Sequence, residues 1–321
     1  MSGAVISASA LERLDELSSA RGLSLTQDAP MAPLTTLRVG GPADRLAAPE
    51  SVDELVALLE VAAEAQVPVF LLGKGSDIVV ADAGIRGLVI RTRADAVSID
   101  GRRLRAEAGT SMTALAKRCA RAGLAGFDWA ISIPGSFGGA VWANAGAHGG
   151  EMAQVLREVE AWDPRTRRRV LLAPSDCAFS YRESRFKHSG EIVLGATIEL
   201  GRGEPTAIAA RIAEHQAQRK ATQPLADQNA GSVFRNPPGD HAGRLIDAAG
   251  LKGHRIGSAQ VSTLHANFIV TDRGTARAAD VRAVGDHARR TVAERFGIHL
   301  QYEIEFVGDW PAGALDQARD A

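Results

Sequence analysis

Three separate segments of the chain carry polar side chains of the kinds that catalytic sites use. They offer a hydroxyl in Ser232, a guanidinium in Arg182 and a carboxylate in Glu303. Catalytic sites are commonly assembled from groups that lie far apart along the chain. Each segment alone also fits an ordinary role as a surface turn, a strand-edge arginine or a solvated carboxylate. The segments are AGSVFRNPP (230–238), FSYRESRFK (179–187) and LQYE (300–303).

A first glycine-rich loop, GKGSD, follows an apolar run typical of a buried strand. In such a turn the backbone N–H groups can approach phosphate oxygens closely. The loop is not a dinucleotide fingerprint, because Ile78 stands where the third glycine would fall, and it lacks the spacing of a P-loop. Gly73, Gly75 and Ser76 are therefore candidates for phosphate binding, beside the more ordinary interpretation of a strand-end turn.

A second, longer loop reads IPGSFGGAVWANAGA over 133–147. Its small residues leave room for a flat ligand or an extended diphosphate against bare backbone. Three glycines within 135–139 cost conformational entropy on folding, which favours a functional reason over a packed turn. Asn144 could add amide contacts, and TLRVGGPA (36–43) is a smaller loop of the same character.

Composition limits the classes of function. A length of 321 residues allows two domains. The formal net charge of −1 gives no indication of a nucleic-acid or membrane partner, and no apolar run is long enough to span a bilayer. The two cysteines, Cys119 and Cys177, have no metal-ligand spacing, so no metal site is expected. Without a recognisable signal peptide, the expected location is the cytoplasm.

Hydrophobic periodicity and capping residues predict the elements that must position these loops. An S-x-x-E capping box begins at Ser51, and glycines at 123, 250 and 297 are expected to end helices. Asp100-Gly101 predicts a tight hairpin. Predicted helices cover 11–17, 52–65, 111–122, 206–221, 241–249 and 276–295, and predicted strands cover 69–72, 88–90, 97–99, 159–162, 170–172, 192–200, 267–271 and 302–307.

Taken together, seven segments resemble the UDP-N-acetylenolpyruvoylglucosamine reductase (MurB) family, and they occur in the family's order over roughly residues 30–308. The chain looks like the shorter, second type of the family, which lacks an inserted tyrosine-bearing loop. The segments are TTLRVGGPA (35–43), GKGSDIVVADAG (73–84), IPGSFGGAVWANAGAHGGE (133–151), FSYRESRFK (179–187), AGSVFRNP (230–237), AGLKGHRIGSAQVSTLHANFIV (249–270) and LQYEIEFVG (300–308).

This resemblance implies an α+β fold, with a two-subdomain FAD-binding part of the vanillyl-alcohol-oxidase (PCMH) type followed by an α/β substrate-binding domain. The expected oligomeric state is a monomer. The expected division is a lead-in helix (1–30), an FAD-binding domain (31–203, with subdomains 31–92 and 93–203), a substrate domain (204–310) and a tail (311–321).

The implied activity is that of an oxidoreductase with non-covalent FAD and with NADPH as reductant. It would reduce UDP-N-acetylglucosamine enolpyruvate to UDP-N-acetylmuramate for peptidoglycan synthesis. The resemblance makes Ser232 the proton donor, Arg182 and Glu303 the groups that stabilise the enolate, and Tyr181, Arg182 and Asn236 the substrate contacts. The implied FAD contacts are Arg38, Gly73, Lys74, Gly75, Ser76, Asp77, Ile133, Pro134, Gly135, Ser136, Gly139, Ala140, Asn144, Ala145 and Gly146.

The chain departs from the family pattern at four positions near these loops. Asp77 stands where Asn is usual, Ser132 replaces a common Gly, Ala143 a common Met, and Thr271 a common Asn. These changes bear on FAD contacts and not on the three catalytic candidates. The alternatives are another flavin oxidoreductase of this fold, a flavin-binding paralogue without turnover, and a plain nucleotide-binding module.

Overall fold

The computed structural model describes residues 6–311. All of the predicted tail except its first residue lies outside this range, as do the first five residues of the lead-in. The predicted lead-in helix is present as α1 (Ala8–Ala20). Its Leu14 is fully buried in the core of the unit that follows.

The first unit is a four-stranded sheet with a helix packed against it. The strand order is β1-β2-β5-β3, antiparallel between β1 and β2 and parallel elsewhere. Strand β4 is not part of this sheet and pairs with the last strand of the described residues. The elements are β1 (Thr26–Pro30), β2 (Pro42–Ala47), α2 (Val52–Glu64), β3 (Val69–Leu72), β4 (Ile78–Val80) and β5 (Ile85–Arg91).

The predicted capping box begins helix α2 in a slightly altered form. The Ser51 hydroxyl accepts a hydrogen bond from the Glu54 N–H at 3.1 Å, as expected. The Glu54 carboxylate accepts from the N–H of Glu50 at 2.7 Å, one residue before the N-cap. Both bonds satisfy donors near the helix start that would otherwise have no partner.

The second unit is a five-stranded antiparallel sheet in the order β12-β11-β13-β7-β6. The predicted hairpin at Asp100-Gly101 joins its first two strands. The elements are β6 (Val97–Asp100), β7 (Arg103–Glu107), α3 (Met112–Arg121), β8 (Leu124–Ala125), α4 (Phe137–Trp142), β9 (Gly146–Ala147), β10 (Gly150–Glu151), α5 (Met152–Val155), β11 (Leu156–Asp163), β12 (Arg168–Leu172), α6 (Phe186–Ser189), β13 (Ile192–Glu199), β14 (Gly201–Arg202) and α7 (Pro205–Thr222).

Helix α7 packs on the second unit. Its buried Ile208 and Ile212 belong to the same core as Leu115 of α3. The sequence-based boundary at 204 would separate this helix from that core, so the packing favours a domain boundary after α7. The division into domains otherwise stays a prediction.

The third unit holds a small antiparallel sheet, in the order β15-β18-β17-β16, against two helices. Gly250 and Gly297 follow the helices with positive φ, as the sequence predicts for helix ends. The elements are β15 (Gln228–Asn229), α8 (Ala242–Ala248), β16 (Arg255–Ile256), β17 (Ala259–Val261), β18 (Ile269–Thr271), α9 (Ala278–Phe296) and β19 (Glu305–Val307).

A parallel pair of short strands joins the first and third units. Strand β19 pairs with β4 over three residues. Val79 of β4 packs into the core of the third unit, whereas Ile78 and Val80 pack into the first. Alternate side chains of one strand thus enter two cores, and the loop before β4 is held at the junction.

Candidate active site

A cavity of about 650 Å³ lies where the three units meet. Both glycine-rich loops line it, and so do Arg182, Ser232 and Glu303. Three catalytic candidates that are distant in sequence therefore share one cavity. Strand β3 lines the cavity, which corrects the expectation of a buried strand: Leu72 is buried, whereas Val69, Phe70 and Leu71 are half-buried.

The backbone on either side of Ser232 is fixed by Asn267. The Val233 N–H donates to the Asn267 carbonyl at 2.8 Å, and the Phe234 N–H donates to its side-chain Oδ1 at 3.0 Å. The Asn267 Nδ2 donates in turn to the Phe234 carbonyl at 2.8 Å. Gly231, with φ of +75°, supplies the turn just before Ser232. Ser232 is therefore positioned at the cavity wall by the backbone hydrogen bonds of the residues beside it, and not by hydrogen bonds of its hydroxyl.

Glu303 reaches the same wall from the adjoining segment. Its N–H donates to the Val233 carbonyl at 2.8 Å, which sets it beside the Ser232 loop. Tyr302 and Ile304, on either side, pack into the core of the third unit. In an extended backbone successive side chains point to opposite sides. Because Tyr302 and Ile304 point to the core, Glu303 and Glu305 point to the cavity.

Arg182 is held between the two halves of the site. Its Nε donates to Glu303 Oε1 at 2.7 Å and its Nη2 to the Gly146 carbonyl at 3.0 Å. The residue has φ of +58°, a left-handed conformation that is uncommon outside glycine and clusters at functional sites. The guanidinium also lies 5.1 Å from the centre of the Tyr181 ring. Arg182 thereby connects the second glycine loop to the Glu303 carboxylate.

A second ion pair connects these segments outside the trio. Arg235 Nη2 lies 2.8 Å from Glu183 Oε1. It joins the segment that carries Ser232 to the segment that carries Arg182. Two of the three segments that carry the catalytic candidates are thus held together independently of those candidates.

The two glycine loops lie against one another. A Cβ on Gly73 would lie 2.4 Å from Ser136 Oγ, and one on Gly75 would lie 2.3 Å from the Leu34 carbonyl oxygen. Gly75 therefore requires glycine, because the clash is with backbone and its φ is +62°, whereas a side chain at Gly73 would have to displace the Ser136 hydroxyl. The result is a stretch of exposed backbone on the cavity wall, of the kind that fits a flat ring or a diphosphate.

Asp77, at the end of the first loop, has an unusual electrostatic environment. Burial, together with the nearby charge of Glu305, raises the pKa of Asp77 to about 6, and Lys187 acts in the opposite direction. The Lys187 ammonium lies 3.3 Å from Glu305 Oε1 and 4.4 Å from the centre of the Trp142 ring. Asp77 therefore adds a carboxyl group that titrates near pH 6 to this wall of the cavity.

Most of the remaining predicted contacts line the cavity. From the first loop these are Gly73, Lys74, Gly75, Ser76 and Asp77, and from the second they are Ile133, Pro134, Gly135, Ser136, Gly139, Ala140, Ala145 and Gly146. The structure thus brings the two loops of the predicted cofactor site to one surface.

Four predicted contacts do not line it. Asn144 is fully buried and donates to the Ser180 carbonyl at 2.8 Å, so it fixes the loop before Arg182. Asn236 Oδ1 accepts from the first N–H of α8 at 3.1 Å. Tyr181 is exposed, and Arg38 bonds the Pro33 carbonyl beside a separate depression.

Sequence reasoning missed several side chains of the cavity. Lys187 and Trp142 lie within quoted motifs, yet neither was assigned a role. His148 and Arg219 also line it. Arg219 gave no signal, because an arginine in the last turn of a helix is ordinary.

Two properties of the described residues bear on the site's chemistry. Within 6–311, no group of three or more His, Cys, Asp or Glu side chains is arranged to hold a metal ion. Over the same residues, no helix combines the length and apolarity needed to cross a membrane.

Comparisons with known proteins place both halves of the chain. Residues 43–170 match a family model described as an FAD binding domain. Residues 223–307 match one described as the C-terminal domain of UDP-N-acetylenolpyruvoylglucosamine reductase. The second match begins where α7 ends, in agreement with the packing of that helix.

Whole-chain relatives agree with these matches. UDP-N-acetylenolpyruvoylglucosamine reductase 2 of Symbiobacterium thermophilum is 45% identical over 286 residues, 88% of this chain and 92% of that protein. The reductase of Moorella thermoacetica is 43% identical, over 92% of this chain and 97% of that protein. The crystal structure of the reductase from Thermus caldophilus matches with a TM-score of 0.75 at 36% identity, covering 90% of this chain and 99% of that one. The predicted α+β fold with its FAD-binding part is confirmed.

Proposed function

The chain belongs to the UDP-N-acetylenolpyruvoylglucosamine reductase family, and from that membership we propose how its cavity works. It is an FAD-containing oxidoreductase. The reaction is reduction of the enolpyruvyl group of UDP-N-acetylglucosamine enolpyruvate to the lactyl ether of UDP-N-acetylmuramate. The observation that carries this assignment is the meeting of Arg182, Ser232 and Glu303 in one cavity with both glycine loops.

The exposed backbone of the two glycine loops would hold FAD. Gly75 admits no side chain, and the facing loop presents Gly135, Gly138, Gly139 and Gly146 to the cavity. When bound, the flavin supplies hydride to the vinyl carbon of the substrate and is itself reduced by NADPH. The protein's part is to place the substrate against the flavin, to stabilise charge on the substrate and to deliver a proton.

Ser232 is the proton donor in this proposal. Its half-buried side chain lines the cavity, and its hydroxyl has no hydrogen-bond partner among the described residues. The hydroxyl is therefore available to a substrate atom. A serine is a weak acid, so it serves here only because the carbon next to the carboxylate becomes strongly basic once hydride has been added.

Arg182 and Glu303 stabilise the negative charge that develops on the substrate. Two of the five guanidinium N–H groups of Arg182 bind Glu303 and the Gly146 carbonyl, which leaves others for the substrate carboxylate. A donor that is already held in place costs no reorganisation during the reaction. Glu303 contributes by holding the Arg182 guanidinium in this direction.

Anaerobic stopped-flow absorbance at the oxidised-flavin band tests the proposal. NADPH should bleach the flavin, and subsequent addition of the enolpyruvyl sugar nucleotide should restore its colour. Bleaching without recovery would point to a different acceptor. A protein that stays colourless after incubation with FAD, or a flavin that denaturation does not release, would overturn the assignment.

We also propose the cellular setting that this reaction implies. The enzyme would act in the cytoplasm as a monomer on small-molecule substrates, and its product would support cell-wall formation, cell shape and division. Light scattering coupled to gel filtration, at micromolar concentration, tests the oligomeric state. A mass near twice the 33.8 kDa of the chain would refute the monomer.

A further inference from the structure

Two cations that line the cavity, Lys74 in the first glycine loop and Arg219, have no acidic partner within residues 6–311. Arg182 pairs with Glu303 and Lys187 with Glu305. Arg219, near the end of α7, also lines the cavity, but no carboxylate of residues 6–311 lies within ion-pair distance of it. Its Nε donates to the Gln223 side chain at 2.8 Å, and no protein atom of the described chain accepts from its two terminal nitrogens.

Arg219 is half-buried, and no carboxylate neutralises it. Burial lowers the pKa of Arg219, and no acid offsets that effect. A desolvated cation without a counter-charge is costly in a folded protein unless a ligand supplies the missing anion. Its neighbour Lys220 is exposed and does not line the cavity, so the burial is particular to this one side chain of the turn.

His148 stands beside Arg219 at the mouth of the cavity. Its Nε2 lies 2.8 Å from Ser132 Oγ, and its ring stacks on His215 with centroids 3.8 Å apart. His215 in turn lies 3.4 Å from Asp128. Partial burial, with the electrostatic effect of His215 and of Arg219, lowers the pKa of His148. This shift favours the neutral imidazole, and the stacking and the hydrogen bond restrict its orientation.

We propose that Arg219 and His148 form a phosphate subsite that binds the diphosphate of the sugar nucleotide. This inference rests on the proposed function. A guanidinium with free terminal N–H groups matches a phosphate oxygen pair, and a neutral imidazole adds one hydrogen bond. In a chain that lacks the tyrosine-bearing loop, this subsite would bind the diphosphate instead.

The position of the subsite fits a substrate whose other end is at Ser232. Asn229 connects the two: its Nδ2 donates to the Pro224 carbonyl at 3.0 Å and its Oδ1 accepts from the Gly231 N–H at 3.0 Å. The chain from Arg219 to Ser232 therefore forms one hydrogen-bonded wall of the cavity. On the facing loop, His148 follows Gly146, whose carbonyl binds Arg182.

Binding of UDP and of uridine to the FAD-loaded protein tests the subsite without turnover. In Arg219→Met the Kd for UDP should rise roughly 10- to 100-fold, the usual effect of losing charge-assisted hydrogen bonds. Uridine, which has no phosphate, should bind as it does to the wild type. The matched control Lys220→Met should leave UDP binding within about twofold, since an exposed side chain outside the cavity contributes little.

Further variants separate charge from folding. Arg219→Lys should bind UDP with intermediate affinity, and His148→Ala should lose roughly threefold, the equivalent of one neutral hydrogen bond. Arg219→Gln serves if the methionine variant fails to retain FAD. In steady state KM for the sugar nucleotide should rise while kcat stays within about threefold, because uniform binding has been removed.

Three outcomes would overturn the inference. One is UDP affinity unchanged in all Arg219 variants, and a second is an equal loss for uridine. The third is weaker NADPH binding with normal UDP binding, which would assign the cation to the reductant. Failure of the proposed function gives a different result. In that case the enolpyruvyl sugar nucleotide would not reoxidise the reduced flavin of the wild type, whatever the affinity for UDP.

Discussion

Single residues determine the chemistry proposed for this cavity, but none of the three catalytic candidates is positioned by its own neighbours alone. Ser232 depends on Asn267, Glu303 on Val233, and Arg182 on both Glu303 and Gly146. The residue types could be predicted from sequence, because a hydroxyl, a guanidinium and a carboxylate are recognisable in quoted motifs. Their distances could not be predicted, because each depends on a hydrogen bond to a distant segment.

Substituting Ser232 by Ala should stall one half-reaction only. The variant should be reduced by NADPH at the wild-type rate, because the hydroxyl is not needed for that step. Reoxidation by the enolpyruvyl sugar nucleotide should slow by about 10²- to 10⁴-fold, the usual effect of removing a general acid. Stopped-flow absorbance measures both rates separately, and a loss of less than about threefold would contradict the assignment.

Substituting Asp77 by Asn should change how stability depends on pH. Because the folded-state pKa of Asp77 is about 6, above the value near 4 of an unfolded chain, the folded state holds the proton more tightly. The wild type therefore loses stability as pH rises from about 4 to about 6. At pH 8 the cost is at most about 3 kcal/mol, since the shift is roughly two pKa units.

Urea unfolding of wild type and Asp77→Asn between pH 4 and pH 8 measures this effect. The variant should gain stability relative to the wild type as pH rises, by about 1–3 kcal/mol at pH 8, and the two should converge near pH 4. A difference that stays constant across the range would show that the carboxylate carries no such cost.

At the scale of elements, the sequence predicted the six longest helices and eight of the nineteen strands in residues 6–311, because capping residues and periodicity are local signals. Glycines end α3, α8 and α9 as expected. Strands β15, β16 and β17 were not predicted, because two or three residues are too short to show a period, whereas β18 lies within the predicted strand 267–271. The apolar β3 was predicted to be buried because the pattern cannot distinguish a core from a cavity wall.

Asn267, just before strand β18, links this strand to the loop that carries Ser232. Its side chain binds both the N–H and the carbonyl of Phe234, and it is 4% exposed. Asn267→Ala should lower the free energy of unfolding by about 2–4 kcal/mol, because two buried backbone groups lose their partners. Flavin reoxidation by substrate should also slow, since Ser232 loses its support.

A control variant separates stability from position. Ser258→Ala removes a 2.7 Å bond to Asp280 in the same unit, away from the cavity lining. It should cost about 1 kcal/mol in urea unfolding but leave the reoxidation rate unchanged. Equal slowing in both variants would mean that Asn267 acts only through general stability.

At the scale of the whole molecule, the active site exists only because the units are joined. The first unit supplies one glycine loop, the second supplies the other with Arg182, and the third supplies Ser232 and Glu303. The parallel pairing of β4 with β19 could not be predicted, since both strands are three residues long and far apart in the chain. Only the resemblance to a family indicated that these segments meet.

Val79 tests whether this junction makes flavin binding and global unfolding one event. Its fully buried side chain lies in the core of the third unit, while its neighbours in β4 pack into the first. Val79→Ala should cost about 2 kcal/mol by leaving a cavity there. Because β4 follows the loop that ends at Asp77, flavin release and loss of helical circular dichroism should shift to lower urea together. The exposed Leu171→Ala should move neither transition measurably. Flavin release at an unchanged urea concentration in Val79→Ala would show instead that the third unit unfolds without disturbing the cofactor loops.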